Sequence, residues 1–205
     1  MNGFEQELKD RVLNVIPHAS IYGLNPIDDW ESVEINLRDD TNIRGISPYI
    51  ETEALIKSKS AVAGVLVNGV IASKDKSVSV IHEFMQTGNF EKIQTSNNIV
   101  LGRLLARKLN VDVGDKISLM LPDTSSSFAG YFPKSKVFNI SGIFNIGSKD
   151  IDETLAYISL ENASILTGLK NQVHGFRLKF DDLFEAPYLV WQSLVYAEKN
   201  SNVLL

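Results

Sequence analysis

The stretch from Ile99 to Leu121, IVLGRLLARKLNVDVGDKISLML, decides the class of the fold. It opens with a short apolar run typical of a strand, and the GRLLARKL that follows has the apolar spacing of a helix. Gly114 and Asp115 are typical turn residues. The KISLML after them resembles a second strand. A strand, a helix and another strand in so short a stretch indicate a mixed α+β fold.

The first forty residues continue this mixture. We predict a helix over residues 3–16, a strand over Ala19–Leu24 and a second helix that begins at Pro26. The apolar residues that share one side of the second helix are Ile27, Trp30, Val33 and Leu37.

The middle of the chain is richer in strands. Alternation and β-branched residues from Ile43 to Ala72, with a polar turn at Lys57–Ser60, predict a β-hairpin. The pattern over Ser77–Met85 predicts a helix, which Thr87–Asn89 would end. A strand over Val137–Phe144 could pair with the preceding KISLML run as an antiparallel hairpin.

The last part of the chain returns to mixed patterns. We predict a strand over Leu155–Leu160, a short helix over Glu161–Leu166, a strand over His174–Phe180 and a final helix between Asp182 and Ala197. Helix and strand patterns thus occur at both ends around a strand-rich middle. This arrangement suggests that the two ends form one subdomain and that residues of about 50 to 170 are inserted between them.

Composition excludes several classes of function. The formal net charge is −5, and no block of basic residues occurs, which disfavours nucleic-acid binding. The absence of cysteine excludes disulfides and thiolate metal sites. No apolar run approaches the roughly 20 residues that cross a bilayer. The opening MNGFEQELKDR lacks the apolar core of a signal peptide, so the sequence as it stands predicts a soluble chain.

Catalytic and metal-binding motifs are weak. The histidines, His18, His82 and His174, lie far apart and in no metal-binding spacing, so we expect surface or capping roles. Ser125–Ser127 could act as nucleophiles with Lys134 or Lys136 as base, but no GxSxG motif supports this.

The acidic run KDIDE, residues 149–153, brings together Asp150, Asp152 and Glu153. It lacks the pattern of a calcium loop, and an acidic turn before a strand is the simpler interpretation. No nucleotide-binding motif occurs, and we expect no cofactor.

The loop from Pro122 to Pro133 is the most unusual segment. It carries aromatic residues on a serine and glycine background, and two lysines follow it. Aromatic side chains at an exposed loop favour an interface, although they could also fold back onto their own domain. The predicted partner-binding residues are Pro122, Phe128, Gly130, Tyr131, Phe132, Pro133, Lys134 and Lys136.

Several short motifs resemble the LolC/LolE-type permeases of the lipoprotein-releasing ABC transporter, after their first transmembrane helix. They occur in the family's order over nearly the whole chain. They include MNGFE at the start, VIPH at 15–18, SPYI at 47–50, IVLG at 99–102, VGD at 113–115, LP at 121–122 and HGFRL at 174–178.

This resemblance implies a periplasmic domain, cut from between two membrane helices, with the fold of MacB-type permeases. A discontinuous porter subdomain would comprise residues 1–50 and 171–205, and a strand-rich sabre subdomain residues 51–170. The domain would not be an enzyme, because in this family a separate cytoplasmic subunit, LolD, hydrolyses ATP. The permease would move outer-membrane lipoproteins from the inner membrane to the periplasmic carrier LolA.

The resemblance also assigns roles around the loop 122–133. In LolC-like subunits the equivalent loop is a hook that enters the carrier's lipid-binding cavity, and a basic position after it, here Lys136, contributes to docking. The family often has arginine there, and lysine loses the bidentate geometry. Since other motifs are LolE-like, the mixed profile favours a hybrid subunit, LolF, that works as a homodimer. A MacB-like mechanotransmission domain of an efflux transporter is the alternative, and a serine hydrolase is a remote one.

Overall fold

The computed structural model of the protein describes residues 19–38, 42–122 and 134–180. Within these ranges the strands are β1 (Ala19–Ile27), β2 (Ile43–Lys57), β3 (Val62–Val70), β4 (Met85–Gly88), β5 (Asn98–Gly102), β6 (Lys116–Met120), β7 (Ser135–Phe144), β8 (Leu155–Ser159) and β9 (Val173–Phe180). The α-helices are α1 (Trp30–Arg38), α2 (Ala72–Asp75), α3 (Arg103–Leu109), α4 (Lys149–Thr154) and α5 (Leu160–Thr167). Short 3-10 helices cover Ile81–Phe84 and Phe90–Gln94.

Six of the strands pair in a closed ring. β2 pairs with β3, β3 with β8, β8 with β5, β5 with β7, β7 with β6, and β6 pairs back with β2. The β3–β8 and β5–β7 pairs are parallel, and the other four are antiparallel. Because the ring closes, these six strands share their backbone hydrogen bonds without a free edge among them.

The interior of the ring holds the larger hydrophobic core. Strand side chains alternate between the two faces, so every second residue points inward. The fully buried inward residues include Ile56, Val67, Ile99, Leu119, Phe138 and Ile158. Helix α3 packs Leu105 and Leu109 against them. A second, smaller core lies on the outer face of the ring, where Phe90, Phe144 and Tyr157 form edge-to-face ring contacts.

The sheet continues beyond the ring through β9 and β1. β9 pairs with β2 over Ile43–Tyr49, and β1 pairs with the other side of β9. β9 and β3 lie on opposite sides of β2, since Tyr49 pairs with both Gly175 and Val70. On the β9 side, β2 pairs with β6 from Leu55 onward. The division into residues 1–50 with 171–205 and residues 51–170 stays a prediction, with β2 crossing its boundary.

Most predicted elements are confirmed. Both hairpins form: β2 pairs with β3 around the turn at residues 58–61, and β6 pairs with β7. The strand, helix and strand of the 99–121 stretch appear as β5, α3 and β6. The strands predicted over 19–24, 155–160 and 174–180 appear as β1, β8 and β9. The helix predicted over 161–166 is α5.

The predicted start of the second helix was wrong. Pro26 lies in β1, and the helix begins only at Trp30. Proline is tolerated there because β1 is an edge strand, paired only with β9 among the described strands, and the pairing is irregular between Tyr22 and Ile27. The apolar side of the helix was predicted correctly for Trp30, Val33 and Leu37, which are buried. Ile27 is buried too, but it lies in β1.

Two other local predictions were wrong. The stretch Ser77–Met85 contains only the 3-10 turn Ile81–Phe84, and β4 begins at Met85 because it pairs with β7. The acidic run 149–153 is not a turn but most of helix α4.

The helices predicted over 3–16 and between 182 and 197 lie outside the described residues. None of the helices in the described part of the chain is long and apolar enough to cross a membrane.

Candidate functional site

The loop 122–133 leaves the end of the β6–β7 hairpin. The two strands pair from Lys116 with Asn139 to Met120 with Ser135. One step further, the backbone N–H of Leu121 donates to the carbonyl of Lys134 at 3.0 Å. The ladder thus holds both ends of the loop side by side, on strands that belong to the closed ring.

Lys136 is fixed at the base of this loop. Its Nζ donates to Oδ1 of Asn162 at 2.6 Å and lies 5.9 Å from the centre of the Phe138 ring. Asn162 is itself held, because its Nδ2 donates to the carbonyl of Ser96 at 3.1 Å. The ammonium group of Lys136 therefore lies between the Phe138 side chain and helix α5.

Lys134 lies at the other end of the same helix. Its Nζ donates to the carbonyl of Thr167 at 3.3 Å, in the last turn of α5. A cation is favourable at this position because the carbonyl end of a helix carries partial negative charge. The residue itself is exposed, so its ammonium group remains accessible to solvent. The two lysines place two positive charges at the base of the loop.

The structure describes only part of the predicted partner-binding set. Pro122 is exposed at the end of β6, and the two lysines lie as given above. The predicted loop residues that lie outside the described ranges are Phe128, Gly130, Tyr131, Phe132 and Pro133. The serines of the hydrolase hypothesis, Ser125–Ser127, lie outside them too.

A buried arginine forms a second polar cluster, which our sequence interpretation missed as a site. Arg177 of β9 is only 6 % exposed, and its Nη2 donates to Oδ1 of Asn68. The same nitrogen lies 3.5 Å from a carboxylate oxygen of Glu51. The guanidinium also stacks on Tyr49, with its central carbon 4.9 Å from the ring centre. An arginine alone in the apolar run HGFRL was the available signal for this cluster.

Asp75 lies behind this arginine. Its Oδ1 is 3.8 Å from Nη1 of Arg177, and the side chain is fully buried. Neither carboxylate oxygen accepts a hydrogen bond within the described part of the molecule. Burial raises the pKa of Asp75 to about 6, although the attraction of Arg177 acts in the opposite direction. Burial likewise raises the pKa of the neighbouring Tyr157 above its usual range.

The acidic run 149–153 does not converge on one point. Asp152 is buried and accepts the backbone N–H groups of Ile146 and Gly147, both at 2.9 Å. Glu153 is paired with Lys108 at 2.9 Å, which lowers the pKa of Glu153. The carboxylate of Asp152 is therefore engaged in hydrogen bonds to the backbone. Within the described ranges no three His, Asp or Glu side chains are grouped as metal ligands would be.

The histidines have local roles where they are described. Nδ1 of His174 accepts the backbone N–H of Glu51 at 3.2 Å, which joins β9 to β2. Nε2 of His82 lies 3.9 Å from a carboxylate oxygen of Glu83. His18 lies outside the described residues.

Comparison with known sequences finds relatives among the LolC and LolE proteins of lipoprotein-releasing systems. The chain is 32 % identical to the lipoprotein-releasing system transmembrane protein LolC of Xylella fastidiosa over 188 residues, which covers 91 % of this chain and 45 % of the relative. It is 32 % identical to LolC of Neisseria meningitidis, with 98 % of this chain and 49 % of the relative covered. It is 33 % identical to LolE of Haemophilus influenzae, with 91 % and 46 % covered. The chain thus spans about half the length of these relatives.

Solved structures share the fold at low sequence identity. The extracellular domain of the noncanonic ABC-type transporter YknZ from Gram-positive bacteria superposes with a TM-score of 0.55 and 10 % identity, covering 86 % of this chain and 81 % of that one. The periplasmic region of MacB from Actinobacillus actinomycetemcomitans gives 0.53 and 10 %, covering 86 % and 76 %. These likenesses establish an α+β fold of the MacB type.

The family model described as the MacB-like periplasmic core domain matches residues 1–186. This match covers most of the chain, and the LolC and LolE relatives each cover 91 % of it. The chain therefore belongs to the family of MacB-like periplasmic core domains, and within it to the LolC/LolE type.

Proposed function

We propose that this domain lies on the periplasmic face of the bacterial inner membrane, as part of a permease of a lipoprotein-releasing system. In this proposal it docks the carrier LolA through the loop 122–133 and so hands over outer-membrane lipoproteins. The relatives are lipoprotein-releasing system transmembrane proteins, which supports the choice of pathway.

The docking proposal rests on the way in which the two ends of the loop are held together. The hydrogen bond between Leu121 and Lys134 closes the β6–β7 ladder at the point where the loop leaves. The two strands that flank the loop belong to the closed ring, and loops on such scaffolds commonly carry function. The exposed ammonium group of Lys134 would favour encounter with an acidic rim on the carrier.

The fixed position of Lys136 defines its role more closely. Its hydrogen bond to Asn162 and its contact with Phe138 hold the ammonium group before any partner arrives. A preorganised charge loses less conformational entropy on binding than a free lysine side chain does. Lysine here would therefore compensate in part for the bidentate contact that arginine makes in related subunits.

The remaining partners follow from the same proposal. ATP would be hydrolysed by a separate cytoplasmic subunit, LolD, and not by this domain. A second permease subunit would complete the transporter, either a different one or, for a LolF-type hybrid, a second copy. The porter subdomain, residues 1–50 and 171–205, would face the membrane helices, and the sabre subdomain, residues 51–170, would carry the loop.

Deletion of Thr124–Tyr131 tests the docking step. We expect the deleted chain to keep its far-UV circular dichroism spectrum, because the β6–β7 ladder ends before the deleted residues, and to lose capture by immobilised LolA. A matched control replaces Lys59, in the exposed turn between β2 and β3, with Glu and should bind normally. Capture of the deleted chain at the level of the control would refute docking through this loop.

A mechanotransmission domain of a MacB-like efflux transporter is the second proposal. The likeness to the periplasmic region of MacB favours it, but only at the level of the fold. Genes beside the reading frame distinguish the two. A gene for a lipoprotein carrier supports the first proposal, and genes for a long coiled-coil protein and an outer-membrane channel support the second.

A further inference from the structure

An open groove runs along the outer face of the ring. Its first part is a concavity of about 860 Å³ between β1, β2, β9 and α4, with Arg177 in its lining. Its second part, of about 430 Å³, extends to Pro122 at the base of the loop. Leu66 and Thr154 line both parts, so the two concavities adjoin.

Strand β2 forms the floor of this groove along its length. Alternation places Tyr49, Glu51, Glu53 and Leu55 on the groove side. The six residue steps from Tyr49 to Leu55 span about 20 Å, which is also the length of about six residues of an extended peptide. A single small molecule usually fills about 300 to 1,000 Å³. The two parts together exceed this volume and are open along one side, which favours an elongated occupant.

The two ends of the groove are apolar and exposed. At one end, Tyr22 and Leu24 of β1 are 69 % and 89 % exposed. At the other end, Leu55 is 47 % exposed beside Gly64, where an added Cβ would meet no atom within 4 Å. Large apolar side chains this accessible, on both sides of one groove, are typical of a surface that buries a partner.

The middle of the groove is acidic. Glu51, Glu53 and Asp150 line it, and Arg177 is the basic residue among the lining side chains, which leaves an excess of two negative charges when His174 is neutral. Arg177 already has partners within the domain, since Asp75 lies 3.8 Å behind it and Asn68 accepts its hydrogen bond from the side. The exposed carboxylate of Glu53 has no ion-pair partner among the described side chains.

We propose that this groove is a second docking surface, separate from the loop 122–133, and that it binds an extended polypeptide segment in which apolar side chains flank a lysine or arginine. The apolar side chains lie against Tyr22 and Leu24 at one end and against Leu55 at the other. The basic side chain lies over Glu53. This inference does not depend on the identity of the carrier that docks at the loop.

The test uses the 205-residue chain and a fluorescein-labelled peptide of eight residues, made of leucine and serine with one central lysine. Matched peptides carry glutamine or glutamate in place of the lysine. Fluorescence anisotropy measures each dissociation constant. We expect the lysine peptide to bind at least about tenfold more tightly than the glutamate peptide, with glutamine between them, because the acidic middle of the groove attracts lysine and repels glutamate.

Two variants localise the binding. Gly64→Phe places an aromatic ring in the second part of the groove. An added Cβ there would meet no atom within 4 Å, and aromatic residues are favoured in strands, so the chain should fold while the lysine peptide binds at least about tenfold more weakly. Glu53→Lys should weaken the lysine peptide about fivefold and strengthen the glutamate peptide. The matched controls are Ile165→Phe and Glu161→Lys, both exposed positions on α5 outside the groove, and should bind as the unmodified chain does.

Three results would overturn the proposal. The first is no binding of any of the peptides to the unmodified chain. The second is equal affinity for the lysine and glutamate peptides, which would remove the basic side chain from the account. The third is a dimer in analytical ultracentrifugation that Gly64→Phe dissociates, which would assign the groove to a second copy of this chain.

Discussion

Replacing Asp75 with asparagine should remove a specific dependence of stability on pH. The pKa of Asp75 is about 6 in the folded chain, against an ordinary value of 3.8. Between these values the folded protein retains a proton that the unfolded chain has lost, so stability falls as the pH rises through this window. The raised pKa corresponds to about 3 kcal/mol in total. About 1 to 2 kcal/mol of this falls between pH 5 and pH 8.

Urea unfolding at pH 5, 6, 7 and 8 measures this contribution. The quantity to compare is the difference in the free energy of unfolding between the unmodified chain and Asp75→Asn, because other titrating groups cancel in it. We expect this difference to shift by about 1 to 2 kcal/mol in favour of the variant as the pH rises from 5 to 8. Glu53→Gln, which removes an exposed carboxylate, is the matched control. A difference that does not vary with pH, or one that shifts in favour of the unmodified chain, would refute the reasoning.

Three further predictions concern packing, a buried hydrogen-bond acceptor and the loop base. Gly69→Ala should destabilise the fold by about 1 to 3 kcal/mol, because the added Cβ would lie 2.1 Å from that of Ala163; an unchanged urea midpoint would contradict this. Asp152→Ala should cost about 2 kcal/mol in the same assay, since two backbone N–H groups lose their acceptor, and Asp152→Asn should cost less. Lys134→Glu combined with Lys136→Glu should slow association with LolA in surface plasmon resonance and change its salt dependence. Unaltered association rates would remove both lysines from the docking proposal.

Local patterns sufficed to predict the hairpins and the helices next to them. The β2–β3 and β6–β7 pairs join segments that are close in sequence, with alternation in the strands and turn residues at Lys57–Ser60 in the first case. The β5–α3–β6 stretch is also local in sequence. Its turn is marked by Gly114, which has a positive φ of 98°, a conformation that favours glycine. These signals depend on neighbours in the sequence and not on the rest of the fold.

Pairing between distant segments could not be predicted in this way. Pro26 fits both the start of a helix and an edge strand, and contact with β9 decides for the strand. Met85 begins a strand because β7 lies beside it. The contact of Arg177 with Asp75 joins residues far apart in the sequence, so local patterns show only an isolated charge in an apolar run.

The length of β2 has a mechanical consequence. Fifteen residues of strand extend for about 50 Å, and one half of this strand is bonded to β9 while the other half is bonded to β3 and β6. A force applied at the β9 end acts along a continuous covalent chain and pulls in shear on many backbone hydrogen bonds at once, instead of opening them one after another. The strand therefore links the β1–β9 end of the sheet directly to β6, the strand that leads into the loop 122–133.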